Sequence, residues 1–314
     1  MNHTQREGLL LLLVAAAGYS FFAIFTKIVY ENGLNSPLDI LIWRFVLTAP
    51  VIWGIIAVQR RNKRASSSPP PPRARLLAMG LLFGLVAMLA FFAVARLPAS
   101  LYTVLIYTYP AMVALGALLF GERLSALGWG ALGLTLLGVF LTVPNPFSGL
   151  GEVDPLGVLF VFLNALSYAT YILLSSRILR GQRDQTLAGA WSITGSLLYV
   201  LVLLVARGVT LPPNPTVWAA LLALALFSTA LPIVAFYAGM QRLGAAKASI
   251  LSTIEPVMTV LWAVLLLGET LLPAQLVGGA LVIASVVLLQ VRRPTPEKRK
   301  NSAAAPVALE GEGR

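Results

Sequence analysis

Arg96-Leu-Pro-Ala-Ser-Leu-Tyr-Thr-Val-Leu-Ile-Tyr-Thr-Tyr-Pro-Ala-Met112 returns later in the chain as Arg242-Leu-Gly-Ala-Ala-Lys-Ala-Ser-Ile-Leu-Ser-Thr-Ile-Glu-Pro-Val-Met258. The offset is 146 throughout, and six of the 17 positions are identical. Shared Leu and Ala say little between two apolar segments. Shared Arg, Pro and Met at fixed spacing say more, and Gly121-Glu122 returns one inserted residue later as Gly268-Glu269. The chain is therefore read as two copies of one unit.

Each copy holds five apolar runs. About 20 apolar residues are needed to cross about 30 Å of hydrocarbon as a helix. Ten such runs are read, over 9–30, 37–58, 76–95, 99–120, 124–143, 155–176, 187–206, 217–240, 246–267 and 272–291. The fold class is an all-α integral membrane protein, with a first repeat over 9–143 and a second over 155–291. Composition agrees: 58% of the 314 residues are hydrophobic and 11% charged, with a mean hydropathy of +0.84. A soluble body of this size needs about a quarter charged residues to coat it. A soluble enzyme, a secreted disulfide scaffold and a disordered chain are excluded on that ground. The first run ends in Lys27 with no small-residue cleavage pattern, so it reads as a retained helix and not a signal peptide.

The formal charge is +11. If the N-terminus lies in the cytoplasm, 19 of the 23 Lys and Arg fall on that side. Both termini are therefore expected in the cytoplasm. The excess is a topology signal, and no nucleic-acid partner is expected. Residues 59–75, with Arg60, Arg61, Lys63, Arg64, Arg73 and Arg75 around a Ser and Pro run, read as a flexible basic cytoplasmic loop. Residues 292–314 read as a disordered cytoplasmic tail.

Five is an odd number. A second five-span unit must enter the membrane from the other side, so the repeats are expected to be inverted. Such pairs are typical of alternating-access transporters, with the substrate site near the midplane between them.

Ile254-Glu255-Pro256-Val257-Met258, followed by Ala263-Val264-Leu265-Leu266-Leu267-Gly268-Glu269, closely resembles the EamA-type branch of the drug/metabolite transporter superfamily. So does Tyr109-Pro110 through Leu118-Leu119-Phe120-Gly121-Glu122-Arg123-Leu124, and so do Ser36-Pro37 and Trp43-Arg44-Phe45. The resemblance covers about 9–291. It implies ten helices in two inverted repeats, export of small metabolites, and a central cavity lined by spans 1, 3, 4, 6, 8 and 9. Its branches handle amino acids, drugs and other solutes. Tyr109 departs from the pattern, since its repeat partner is Glu255.

Few charges remain at depth. Arg44 lies seven residues after Pro37, about 10 Å along the helix, and Glu255 lies eight after Lys247, about 12 Å. An ionised side chain there costs at least about 2.5–3.5 kcal/mol, so such residues usually face water or a partner. Glu255 is read three ways: a site for a substrate's amino group, a proton site, or a carboxyl that locks the helix break at Pro256. Arg44 is expected to be structural, snorkelling outward or pairing with a helix C-terminus or with Asp39. Asn164, Ser167, Tyr168 and Tyr171 share one helical face. Tyr102 and Tyr109, seven apart, share another, with Thr103 and Tyr107 on a neighbouring one. The substrate site is expected to use Tyr19, Tyr102, Tyr109, Asn164, Tyr168, Tyr171, Tyr237 and Glu255. Pro110 and Pro256, at matched places, are expected to act in gating or helix breaking. Single Ser and Thr residues, such as Ser249, Ser252 and Thr253, are read as interhelical glue. Gly80 and Gly84 form a GxxxG in the third span.

Enzyme readings lack residues. There is no Cys, and the one His is His3. No Walker A motif is present. No cofactor or metal is expected. The partners expected are a small-molecule substrate and membrane lipid, with monomer and homodimer both open. The leading function is a secondary transporter exporting a small metabolite, an amino acid or related solute, across the bacterial inner membrane. The alternatives are a passive facilitator or channel, a multidrug exporter of cationic or aromatic compounds, and a non-transporting scaffold.

Overall fold

The computed structural model describes residues 3–62, 71–94, 96–97, 102, 105–122, 124–142, 154–182, 184–267 and 272–290. Thr103, Arg123, Gly268-Glu269, the tail, and the centre of the basic loop lie outside these residues.

Among the described residues the protein is all helical. The helices are α1 (His3–Glu31), α2 (Pro37–Asn62), α3 (Arg73–Val94), α4 (Tyr109–Leu119), α5 (Ala126–Thr142), α6 (Pro155–Ile178) and α7 (Gln185–Arg207). Then come α8 (Pro215–Leu243) and α9, in two halves, Ala245–Ser252 and Glu255–Leu267. The last is α10 (Pro273–Gln290). Six of them, α1, α2, α3, α6, α7 and α8, are long and apolar enough to cross a membrane. Shorter apolar helices run over Tyr109–Leu119, Ala126–Leu141 and Pro273–Leu288.

The helix entries follow from local chemistry. Asp154 accepts from Leu156 N at 2.9 Å, Asp184 from Leu187 N at 2.9 Å, and Asn214 from Val217 N at 3.0 Å. Each side chain satisfies an amide that the first turn leaves without a partner. Pro155 and Pro215 follow at the first helical position, where a missing N–H does no harm. Gly244, with φ +85°, makes the corner between α8 and α9; a side chain there would be strained.

The bundle holds polar side chains within a largely apolar interior and exposes apolar ones on its outside. Asn164, Ser192, Ser196, Thr229, Ser249 and Ser252 are buried, while Leu119 and Val205 are 85% and 88% exposed. Apolar surface on this scale has lipid as its solvent. The protein is a multi-pass membrane protein.

The most extensive helix pairings are α3 with α6 and α7, α8 with α1 and α2, α4 with α6, α9 with α1, and the pairs α2–α7, α4–α9 and α5–α10. Exchanging α1–α5 with α6–α10 leaves this set unchanged. Two ion pairs obey the same exchange. Arg96 Nε lies 3.5 Å from Asp154 Oδ2, and Arg242 Nε lies 3.4 Å from Glu7 Oε2. Arg96 Nη1 also donates to Phe92 O at 3.4 Å, and Arg242 Nη1 to Ala238 O at 2.8 Å. Both arginines, and both carbonyls, are 146 apart, the spacing of the repeat. These pairs are solvent-exposed, and exposed pairs contribute about 0.2–1 kcal/mol. Arg242→Ala should therefore lower the unfolding free energy by no more than about 1 kcal/mol, read as a small fall in the melting midpoint in detergent. A large fall would show that the pair is coupled to the core.

Among the described residues, three of the ten runs depart from regular helix. The fourth and ninth are each interrupted. Leu105 and Ile106 are helical, Tyr107 and Thr108 form a turn, and the helix resumes at Tyr109. Leu251 and Ser252 are helical, Thr253 and Ile254 form a turn, and the helix resumes at Glu255. The register is identical at the 146 offset. So are the bonds: Thr108 N to Leu105 O at 3.2 Å and Ile254 N to Leu251 O at 3.4 Å. Pro110 and Pro256 lack the N–H that would bond the carbonyls of Ile106 and Ser252. Within α8, the run predicted as regular helix contains a π-helical segment, Leu226–Ala230.

Candidate functional site

Arg44 turns inward. Its Nε donates to Thr229 Oγ1 at 2.8 Å, and Nη2 reaches Ser228 O at 3.5 Å. The guanidinium carbon lies 4.9 Å from the Phe22 ring centroid and 5.6 Å from that of Phe45. The expectation of an outward or Asp39-paired arginine is corrected. Asp39 is buried and pairs with Arg207 of α7. The reason is helical geometry: five residues rotate a side chain by about 140° at 3.6 residues per turn, so Asp39 and Arg44 leave α2 on different faces.

The π-helical segment supplies Arg44 with its partners. Pro232 has no N–H, so the carbonyl of Ser228 lacks its usual donor four residues on. Thr229 Oγ1 donates to Leu224 O at 3.0 Å and accepts from Arg44. Inserted π turns of this kind occur often at functional sites. Ser228 and Thr229 were not among the residues expected at the site. The available signal was a Ser-Thr pair just before Pro232 inside an apolar run.

Glu255 opens the second half of α9. A helix N-terminus favours a negative side chain, which suits a carboxylate there. Among the described residues, Glu255 makes no side-chain hydrogen bond and no ion pair within 4.0 Å. Its electrostatic partner of opposite sign is Arg44. Arg44 in turn feels Tyr19, Glu255 and Tyr168. Tyr102 and Tyr107 also lie within electrostatic reach of Glu255. All six of these residues are packed within the bundle, yet each keeps some accessible surface. They bring α1, α2, α6, α9 and the segment before α4 to one place.

The other expected site residues stand behind this group. Tyr109, Tyr171, Tyr237 and Asn164 are at most 4% exposed, so they support the wall and do not form its accessible face. Tyr109 Oη lies 2.8 Å from Ser252 Oγ, joining the two helix breaks. Tyr171 Oη lies 2.7 Å from Tyr237 Oη, and Tyr237 donates to Ser192 Oγ at 3.0 Å. Asn164 Nδ2 donates to Val86 O at 2.7 Å, holding α6 to α3. Tyr168 connects front and back: its ring centroid lies 4.7 Å from that of Tyr109 and 6.2 Å from that of Tyr171. Ser249, Ser252 and Thr253 donate to carbonyls three residues back in their own helix, at 2.9, 2.9 and 2.5 Å. Among the described residues, no group of three His, Cys, Asp or Glu could hold a metal ion.

The arrangement places two side chains of opposite formal charge beyond ion-pair distance of one another, with tyrosine rings beside them.

Similar proteins are named as transporters. An uncharacterized transporter of Synechocystis sp. is 28% identical over 330 residues, covering 96% of this chain and 98% of its own. An uncharacterized transporter of Bacillus subtilis is 22% identical, covering 93% and 96%. An uncharacterized inner membrane transporter of Salmonella typhimurium is 25% identical, covering 92% and 96%. A solved crystal structure shares the fold, with a TM-score of 0.75 at 21% identity, covering 90% of this chain and 96% of that one. Two stretches, residues 6–143 and 155–291, match the EamA-like transporter family. With each half of the chain matched by one family, and relatives named as transporters matched along nearly their full length, the protein belongs to the EamA-like transporter family.

Proposed function

We propose that this protein is a secondary transporter of the bacterial inner membrane that exports a small metabolite by alternating access. Ten spans form two inverted five-helix repeats, 9–143 and 155–291, with both termini in the cytoplasm. The repeats rock about a site bounded by Tyr19, Arg44, Tyr102, Tyr107, Tyr168 and Glu255.

One observation carries the reading. Arg44 and Glu255 are costly to hold within a membrane, and both keep accessible surface beside helices that break in the same register in each repeat. Broken helices at a repeat interface are where transporters of this architecture place their substrate. The 19 of 23 basic residues on one side support the orientation.

The test is transport by the purified protein in proteoliposomes, with amino-acid and drug panels under imposed gradients. Solute-dependent counterflow is expected. Flux that counterflow cannot concentrate would make the protein a passive facilitator. No solute movement under any gradient would remove the transporter reading.

A further inference from the structure

We infer that the outer ends of α1, α2 and α8 form a hinged gate, which swings as one body drawn from both repeats and is latched by Arg207 of α7. The inference rests on the transporter reading, in which the site must open outward, and says which part of the bundle moves.

The gate is a packed unit. Val29 of α1, Leu34 just beyond it and Ile40 of α2 meet Val217, Leu221 and Leu224 of α8 in an apolar cluster of their own. Each is at most 1% exposed. Polar and ring contacts tie the same ends together. Asn214 Nδ2 donates to Asn32 O at 2.9 Å, and the Trp43 and Trp218 rings meet edge to face at 5.0 Å. Past Ala230, α8 changes company. Ile233, Phe236, Tyr237 and Met240 belong to the main core, where Tyr237 bonds to Tyr171 and Ser192. Bundles open between cooperative units and not through them. Here the boundary falls on the π-helical segment.

All three helices are weak at that depth. α8 has the π-helical segment Leu226–Ala230, followed by Pro232. In α2, Pro50 offers no N–H to the carbonyl of Val46. In α1, a Cβ on Gly18 would lie 2.6 Å from Phe227 O and 2.4 Å from Pro232 Cγ. Thr48 Oγ1 reaches Ala225 O at 3.5 Å, so α2 meets α8 at the same level. Helices bend at proline and at π turns, and glycine weakens a helix interior. The counterpart helices differ. At the 146 offset Gly18 becomes Asn164, and neither α3 nor α7 holds a proline. The interruptions before Pro110 and Pro256 occur in both repeats, whereas this belt of weak points belongs to one end of the bundle.

Arg207, in the last turn of α7, is the latch. It pairs with Asp39, whose side chain is 1% exposed, and its Nη2 reaches Ser36 Oγ at 3.4 Å. Just beyond it, Trp43 Nε1 donates to Thr210 O at 2.8 Å. Ser36, Asp39 and Trp43 ride on the gate. α7 does not, because its backbone is seated on that of α3 at Gly195. A carboxylate buried this far needs its partner, so the pair holds the gate against α7 for as long as it lasts.

The chain has no Cys, so spin labels on pairs of introduced cysteines can report distances in the full protein, in proteoliposomes without solute. Thr216→Cys with Leu156→Cys reads the gate against α6. Glu31→Cys with Thr216→Cys reads within the gate, across the two repeats. Leu156→Cys with Leu231→Cys reads α8 below the π-helical segment. All four positions are exposed. The first pair should show two distances that differ by more than about 2 Å, the scale of hinge rearrangements, and the other two pairs should show one. Arg207→Gln should raise the ratio of the longer to the shorter distance about tenfold, as for loss of one hydrogen bond to a charged group. Asp39→Asn breaks the latch from the other side and should do the same. Elution as a single peak in detergent is the folding control for each variant. A second distance within the gate would mean that the repeats rock as whole bodies, and one below the π-helical segment that α8 moves as a whole. Either would overturn the inference. So would a single distance in the first pair throughout, or a ratio that both latch variants leave unchanged. Each of these results leaves the transporter reading to the counterflow test, which needs no particular gate.

Discussion

Gly195→Leu should stop the two halves of this protein from docking. A Cβ at Gly195 would lie 2.1 Å from the carbonyl oxygen of Leu77, and a Cβ at Gly80 would lie 1.9 Å from that of Ser192. The backbones of α3 and α7 therefore touch where they cross, as small residues allow in membrane bundles. Ser196 Oγ donates to Gly80 O at 2.9 Å and fastens the crossing. Backbone atoms cannot step aside as a flexible side chain can. Overpacking of an ordinary core costs about 1–3 kcal/mol, and this contact belongs at the upper end of that range or beyond. Ser192 also accepts from Tyr237, so displacing α7 disturbs the tyrosine network behind the site. The expected result is a large loss of folded, monodisperse protein and a melting midpoint far below wild type. Gly133→Ala is the control, because nothing lies within 4 Å of a Cβ there, and alanine improves helix propensity by about 1 kcal/mol. A Gly195→Leu protein that melts with the wild type would show that the crossing is not close in the membrane.

The contrast between these glycines explains what could be read from the chain. Gly80 and Gly84 were visible as a GxxxG, but the same pattern occurs in helices that pack against nothing. Only the placement of Ser192, Gly195 and Tyr199 opposite gives it meaning. The repeat was legible because Arg, Pro and Met are rare enough in apolar segments for their spacing to carry information. Pro110 and Pro256 marked the interruptions, and the turns fall just before them. Arg44 was visible as a charge at depth, but not its direction. That is set by the π-helical segment of α8, 185 residues away in sequence, and one extra residue in a helical turn leaves no periodic mark. The tyrosines show the same limit. A helical face says which residues point inward together; it does not say that Tyr168 reaches accessible space while Tyr171, one turn on, is sealed behind it.

Glu255→Gln should remove both net transport and exchange, each by about 30-fold or more, as for truncation of a buried charged contact. Glutamine preserves the volume of the side chain and its place at the start of the helix, so packing around Pro256 is kept. What changes is charge. The glutamine amide would offer a solute's cationic group a neutral carbonyl, and would leave Arg44 without its counter-charge. A residue that only carries a coupling proton behaves differently: its neutral analogue stops net movement against a gradient but still shuttles loaded carrier from side to side. Exchange is measured with labelled solute inside and unlabelled solute outside at equal concentration, and net movement is measured under a proton gradient. Loss of both in a variant that elutes as a single peak and melts with the wild type places Glu255 on the solute; loss of both with a lowered melting midpoint makes it structural. Exchange at the wild-type rate with net movement gone would place it on the proton.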